Sequence, residues 1–432
     1  ADMVRMRKAA GAIKAAVASK SMRNSGSLPI SANRQRGGCG GWIFNGQSRA
    51  VCLACRRMSK RVYVVAGELS GDAHGAGLLR SLVEMVPDLE IHGAGGPEMA
   101  EIAGPGLRDW VEDAAVMGVW EVLKRYGWFK QRFAEMLAEL KKFQPDLLLL
   151  IDYPGFNLRF AEAVKRECPQ TRIVYYISPK VWAWNKRRIP VMARVLDEVL
   201  CLFPFEPPIF QAAGLKSTFV GNPLVDELEE KRLPAAHREE RLVGLFPGSR
   251  EREIARLFPM MIATAQRLKS SDAGLKFEVP AASAKLAAQI RGLMAEAGDL
   301  ITVTTGGSHS LMQRACCAVI ASGTATLEAA YYGLPYCLVY RVAPLTYVLG
   351  KMLVKIEHIG LVNILAEEGV VEELIQARAE PVAVARSLGG FLESPAKRET
   401  LQARLAETSA KLGGKGAHQR AARAVAEWLA RP

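Results

Sequence analysis

Asp152 closes an unbroken apolar run, Leu147–Ile151, and precedes Tyr153-Pro154-Gly155-Phe156-Asn157. A carboxylate at the C-terminal tip of a buried strand is poorly solvated. Its pKa is biased upward, which suits a general base. The same position, two residues before a proline, equally suits an aspartate that closes an Asx turn or caps a helix. A second acidic turn lies earlier, where the apolar run Val62–Ala66 enters Gly67-Glu68-Leu69-Ser70-Gly71-Asp72, with a third glycine at Gly75. The dinucleotide spacing G-x-G-x-x-G is absent, and Glu68, Ser70 and Asp72 stand where a phosphate cradle needs bare backbone N–H groups. This turn suits a hydroxyl-rich ligand rather than a pyrophosphate.

Two later glycine turns are of another kind. Pro247-Gly248-Ser249-Arg250 follows an apolar run and opens a helical pattern. Glycine lets the backbone approach a ligand, a helix N-terminus favours an anion, and Arg250 and Arg252 add charge-assisted contacts. Ser322-Gly323-Thr324-Ala325-Thr326-Leu327-Glu328 repeats the arrangement with hydroxyls. Glu328 falls one turn in, where it either takes two ribose hydroxyls or complements the helix dipole. Two such turns in one half of the chain point to a nucleotide diphosphate. Ser178–Arg188 sets Trp182 and Trp184 among four cations, able to stack on a sugar or hold a phosphate. In Val116–Lys130, Val116, Val119, Trp120 and Leu123 share a helical face, with Met117 and Val122 apolar elsewhere and Trp128 and Phe129 following. Aromatics mixed with Lys and Arg suit a membrane-interface segment, and a core-facing helix is the alternative. The six histidines are scattered and suggest no metal site.

The elements that must position these residues alternate. Strands are expected at Val62–Ala66, Glu90–Gly93, Leu147–Ile151, Ile173–Ile177, Glu198–Leu202 and Thr218–Val220, with helical patterns between. A polar segment from Glu227 to Arg241 reads as a linker. The alternation restarts with strands at Leu242–Phe246, Phe277–Val279, Ile301–Thr304, Ala318–Ala321 and Tyr336–Val339. Near-continuous apolar strands imply parallel sheets covered on both faces. The expected class is α/β, two Rossmann-like doubly wound domains with a cleft between them.

The bulk numbers agree. At 432 residues the chain can hold two cores. Residues 1–57 carry +10 of the formal +13, with Asp2 their only acid, so the body is nearly neutral and no nucleic-acid-binding face is implied. That tail reads either as an Arg-rich targeting peptide or as an upstream extension before Met58. Cys52-x-x-Cys55 lacks a second pair at zinc spacing, and Cys168, Cys201, Cys316, Cys317 and Cys337 sit in apolar surroundings, as thiols do in a reducing compartment. No apolar run approaches the roughly 20 residues of a membrane span.

Taken together, the motifs resemble the lipid-A-disaccharide synthases, inverting transferases of glycosyltransferase family 19 and the GT-B type. The resemblance rests on Ala66–Asp72, Val116-Met117-Gly118, Ile151–Asn157, Ser178–Trp184, Pro204-Phe205-Glu206, Phe219–Pro223, Pro247–Arg250, Ser322–Glu328 and Leu361–Leu365, in order across residues 62–430. It implies that UDP-2,3-diacylglucosamine donates its sugar to the 6-hydroxyl of 2,3-diacylglucosamine 1-phosphate (lipid X), with no cofactor and no metal. It implies Asp152 as catalytic base, Glu68, Ser70, Asp72 and Asn222 on the acceptor side, and Ser249, Arg250, Thr324, Glu328 and Asn363 at the UDP site. Met117, Val119, Trp120, Leu123, Trp128 and Phe129 would face the inner membrane from the cytoplasm, and a homodimer is possible. The implied domains are 1–57, a basic extension; 58–226, the acceptor and membrane half; and 240–404, the UDP half, with a C-terminal helix at 405–432 packing back on the first. The chain departs from the family at Asn222, where histidine is usual, at Gly155, where an acid is common, and at Val362, where proline often stands. A different GT-B transferase or a UDP-GlcNAc 2-epimerase is the enzymatic alternative, and a nucleotide- or nucleic-acid-binding protein using the basic tail the non-enzymatic one.

Overall fold

The computed structural model describes residues 59–114, 125–183, 185–234, 237–295, 298–343, 347 and 357–431. The tail 1–57 lies outside the described residues, as do Met117, Val119, Trp120, Leu123 and Trp184. The strands of the first half are β1 (Lys60–Ala66), β2 (Leu89–Gly95), β3 (Leu107–Asp109), β4 (Leu147–Ile151), β5 (Arg172–Tyr176), β6 (Glu198–Cys201) and β7 (Ser217–Phe219). They form one parallel sheet in the order β3-β2-β1-β4-β5-β6-β7. The second half supplies β8 (Glu239–Phe246), β9 (Lys276–Ala281), β10 (Ile301–Thr305), β11 (Ala315–Ala321), β12 (Tyr336–Tyr340) and β13 (Glu373–Ile375). Their order, again all parallel, is β10-β9-β8-β11-β12-β13.

Both orders reverse once, at β1/β4 and at β8/β11. A reversal in a parallel sheet leaves a crevice outside the carboxyl ends of the strands, where ligands bind. Register then fixes which residues meet there. Ala66 lies opposite Ile151, so Gly67 and Asp152 leave neighbouring strands side by side. Phe246 lies opposite Ile320, so Pro247–Arg250 and Ser322–Thr324 do the same.

The strand Leu147–Ile151 is apolar throughout because both of its faces are covered. Side chains alternate across a strand. Leu148 and Leu150 join Phe156, Phe160 and Val164 on one side. Leu147, Leu149 and Ile151 join Leu78, Leu79 and Leu82 on the other. That second layer also takes in Ala421, Ala422, Val425 and Leu429 of the last helix, Ala417–Ala430. The helix before it, Pro395–Ala410, puts Leu401 and Leu405 into a core of the second sheet. The chain therefore crosses to the second half and returns.

Two short strands, β3 and β13, were not expected. Each has three residues at a sheet edge, too few to show a period. The expected linker Glu227–Arg241 is shorter than it reads. Leu224–Glu230 is a helix whose Leu224, Val225 and Leu228 are buried against the second half, so its acids are the solvent face of an amphipathic turn. Strand β8 begins at Glu239, before the apolar run does.

The seam made by the last helix is testable. Val425 is fully buried there. Val425→Ala removes two methyl groups and should lower unfolding stability by about 2 kcal/mol. An unchanged midpoint in chemical denaturation would contradict the packing.

Candidate active site

The first crevice is built on an unusual backbone. Asp152 and Tyr153 have φ of 45° and 49°, and Ile177, one strand over, has 66°. Such angles are costly for residues with a Cβ. The carbonyl of Asp152 is held from two sides. Asn157 Nδ2 donates to it at 2.7 Å, and also to the carbonyls of Ile151 at 3.2 Å and Val65 at 3.4 Å. The Tyr175 hydroxyl donates to it as well. Tyr153 donates its hydroxyl to the Ala114 carbonyl at 3.0 Å. Its ring occupies the space a Cβ at position 67 would need, so Gly67 is glycine because of Tyr153.

Asp152 is half-buried, and desolvation raises its carboxyl pKa, opposed by the Tyr153 backbone N–H and the Lys180 charge. Glu68 stands exposed at the rim. Its carboxyl is raised by partial desolvation and then by the Asp152 charge. Ser70 is exposed beside it, and Leu69 between them is 64 % exposed.

Asp72 does not line this crevice. It is 1 % exposed and accepts the backbone N–H groups of Gly96 at 2.8 Å, Glu98 at 3.0 Å and Met99 at 3.1 Å. It caps the helix Pro97–Ala103, whose own N-cap residue is a glycine. Asn222 lies buried at the crossing between halves. Its N–H donates to Leu412 O at 2.9 Å, and its Oδ1 accepts from Leu224 N at 3.1 Å. Trp128 and Phe129 are half-buried on the helix Tyr126–Phe143. Trp128 stacks on Trp110 at 6.0 Å, and Phe129 meets Trp128 edge-on at 4.9 Å.

The second crevice holds a cavity of about 340 Å³ lined by Gly248, Ser249, Arg250, Ser322, Gly323, Thr324 and Glu328, among others. Ser249, Arg250 and Thr324 are exposed to it. Gly248 has φ of 106° and lies against the Glu253 side chain, which forms an ion pair with Arg250 at 3.2 Å. The N-terminus of the 21-residue helix Glu251–Ser271 opens there. Burial first, and the Glu227 charge second, push the Glu328 carboxyl up to about 7, against the Lys231 charge. His309 Nδ1 lies 3.9 Å from Glu328 and has no hydrogen-bond partner among the described residues. Asn363 is outside this cavity. It is 1 % exposed, donates to Val371 O and Glu373 Oε1 at 2.9 Å, and accepts from Val370 N and Val371 N at 2.9 Å. It closes the turn between the helix Leu361–Ala366 and β13.

Sequence reasoning passed over Tyr175 and His309. A tyrosine inside an apolar strand signals a hydroxyl in need of a partner, and that was the available clue to Tyr175. For His309 there was none.

Residues 62–427 match the family described as Lipid-A-disaccharide synthetase. The lipid-A-disaccharide synthase of Geobacter sulfurreducens is 41% identical over 382 residues, 86% of this chain and 98% of that protein. The chain belongs to the lipid-A-disaccharide synthase family. It is therefore a glycosyltransferase of lipid A biosynthesis. Solved structures agree in fold. An S. aureus MnaA–UDP co-structure superposes with a TM-score of 0.58 at 12% identity, covering 86% of this chain and 97% of that one. The calicheamicin glycosyltransferase CalG4 superposes at 0.51 with 14% identity, covering 86% and 99%. The two parallel α/β sheets are the GT-B arrangement of that family.

The place of Asp72 yields a prediction. Asp72→Ala leaves the buried N–H groups of Gly96 and Met99, and the part-buried one of Glu98, short of an acceptor and should cost about 3 kcal/mol of stability. Turnover per folded molecule should be retained. A variant of full stability, in thermal unfolding followed by circular dichroism, would refute the capping role.

Proposed function

We propose that this chain transfers the sugar of UDP-2,3-diacylglucosamine to the 6-hydroxyl of 2,3-diacylglucosamine 1-phosphate with inversion, releasing UDP. The observation that carries the residue roles is the raised, half-buried Asp152 carboxyl at one switch point, paired with a polar cavity at the other. Asp152 takes the proton of the 6-hydroxyl as that oxygen attacks the anomeric carbon. The bond from that carbon to the diphosphate oxygen breaks, and the electron pair leaves with UDP. The N-terminus of Glu251–Ser271 and the Arg250 guanidinium offset the charge on the departing diphosphate. Ser249 and Thr324 offer hydroxyls to the phosphates, and Glu328 accepts the ribose hydroxyls. Glu68 and Ser70 line the acceptor side. Asn222 and Asn363 act at one remove, through the turns they close.

Among the described residues no helix is long and apolar enough to cross a membrane. Tyr126 is 59 % exposed at the start of the Trp128–Phe129 segment, and Leu69 is exposed at the crevice mouth. These support drawing the acyl chains of both substrates from the cytoplasmic surface of the inner membrane.

Asp152→Asn should slow disaccharide formation by about 10²–10⁴-fold, with UDP binding by calorimetry intact. Near-normal turnover would sink the assignment. Glu328 gives a pH test. Its folded-state pKa lies above the ordinary carboxyl value of 4.5, so protonation favours the folded, empty protein, and the carboxylate form fills as pH rises through about 7. UDP affinity should therefore fall between pH 8 and pH 6, and Glu328→Gln should remove that part of the dependence. Parallel pH profiles for the variant and the unmodified chain would exclude Glu328 from the ribose site.

A further inference from the structure

The loop Ser178–Arg188 leaves β5 beside Asp152. Ile151 pairs with Tyr176, and Asp152 N donates to Tyr176 O at 3.0 Å. The loop contains no Asp or Glu, and Lys180, Lys186 and Arg187 are exposed. Among the described residues none of these three cations forms an ion pair with a carboxylate. The loop is nonetheless held firmly. Trp182 is buried and donates Nε1 to Glu206 at 3.1 Å. Glu206, 2 % exposed, also accepts from Leu202 N at 3.2 Å and Phe203 N at 3.1 Å. Val181 N donates to Pro179 O at 2.6 Å, and Ala183 N to Lys180 O at 3.2 Å, so the backbone turns tightly around Lys180.

We infer that this loop anchors the anomeric phosphate of the acceptor sugar, with Lys180 as its principal contact. The inference rests on the reaction proposed above. In the empty site the Lys180 charge stabilises the Asp152 carboxylate and so makes it a weaker base. An anion bound to Lys180 offsets that effect. The diphosphate of the donor is accounted for by the second crevice, which leaves the acceptor phosphate as the anion available here. The 6-hydroxyl must lie at Asp152, and the phosphate on C1 lies on the other side of the ring oxygen from the carbon that carries C6, within reach of a lysine side chain. Phosphate binding thus restores basicity to Asp152 as the hydroxyl arrives, so the phosphorylated acceptor is favoured over its dephosphorylated form.

The test compares the full chain and Lys180→Met with two acceptors, 2,3-diacylglucosamine 1-phosphate and the same sugar without phosphate. Lys180 is exposed, so the variant folds. The preference for the phosphorylated acceptor, as a ratio of kcat/KM values, should fall about 10- to 100-fold in Lys180→Met. Most of the change should be in the acceptor KM, with the UDP-sugar KM unmoved, and Lys180→Arg should recover most of the preference. An unchanged ratio, or an equal loss on both acceptors, overturns the inference. If the unmodified chain forms no disaccharide from either acceptor, it is the proposed reaction that fails.

Discussion

Two successive residues, Asp152 and Tyr153, hold left-handed backbone at the end of a fully buried strand, and the shape of the first crevice depends on it. Each such residue costs about 1–3 kcal/mol. The cost is offset where it arises, by the Asn157 and Tyr175 hydrogen bonds to the Asp152 carbonyl. The turn swings the Tyr153 ring over residue 67. Gly67 follows from that, since any side chain there meets the ring. Gly67 therefore reflects the shape of the strand end next to it, while Gly75 makes room for Met99 and Ile151.

Burial raises several carboxyls in this molecule, and the shift alone does not separate sites from scaffolding. Glu206 is raised by burial, yet its oxygens are committed to Trp182, Leu202 and Phe203. Asp72 commits its oxygens to three backbone donors. Asp152 has the Tyr153 N–H and is otherwise open to the crevice. Lone pairs left over after folding, more than the size of the shift, mark the group that can take a proton from a substrate. Glu328, in the second crevice, has no hydrogen bond to its carboxylate among the described residues, with His309 Nδ1 3.9 Å away.

The strand tips were legible in the sequence, because apolar runs ending in glycine or acid turns show both the strand and its exit. Asp152, Glu68, Ser249, Arg250, Thr324 and Glu328 all fall at such exits. Asp72 and Asn363 were not legible in their actual roles. Each looks like a polar residue in a motif, and each spends its side chain elsewhere: Asp72 on backbone groups more than twenty residues away, Asn363 on a turn that follows it and on Glu373. Capping across that distance leaves no local pattern. The helix Leu224–Glu230 was hidden for a related reason. Its acids are visible in the sequence, but the half it packs against is not.

The outgoing and returning chains meet between the two halves. Asn222 N bonds to Leu412 O, Arg420 Nε to Val220 O, and Asp226 accepts from Gly416 N and Ala417 N, which caps the last helix. The outgoing helix is tied in turn to the second half by the Tyr332 hydroxyl on Leu228 O and the Tyr331 hydroxyl on Glu229. Half-buried histidines border this junction. His418 is pushed down to about 4, chiefly by burial, and His74 is lowered by the same cause, so both are neutral near pH 7 and add no charge there. Glu227, on the same short helix, is felt by His74 on one side and by Glu328 on the other. Asn222 stands at the centre of this junction, and what it supplies is a backbone donor and an acceptor for a helix start.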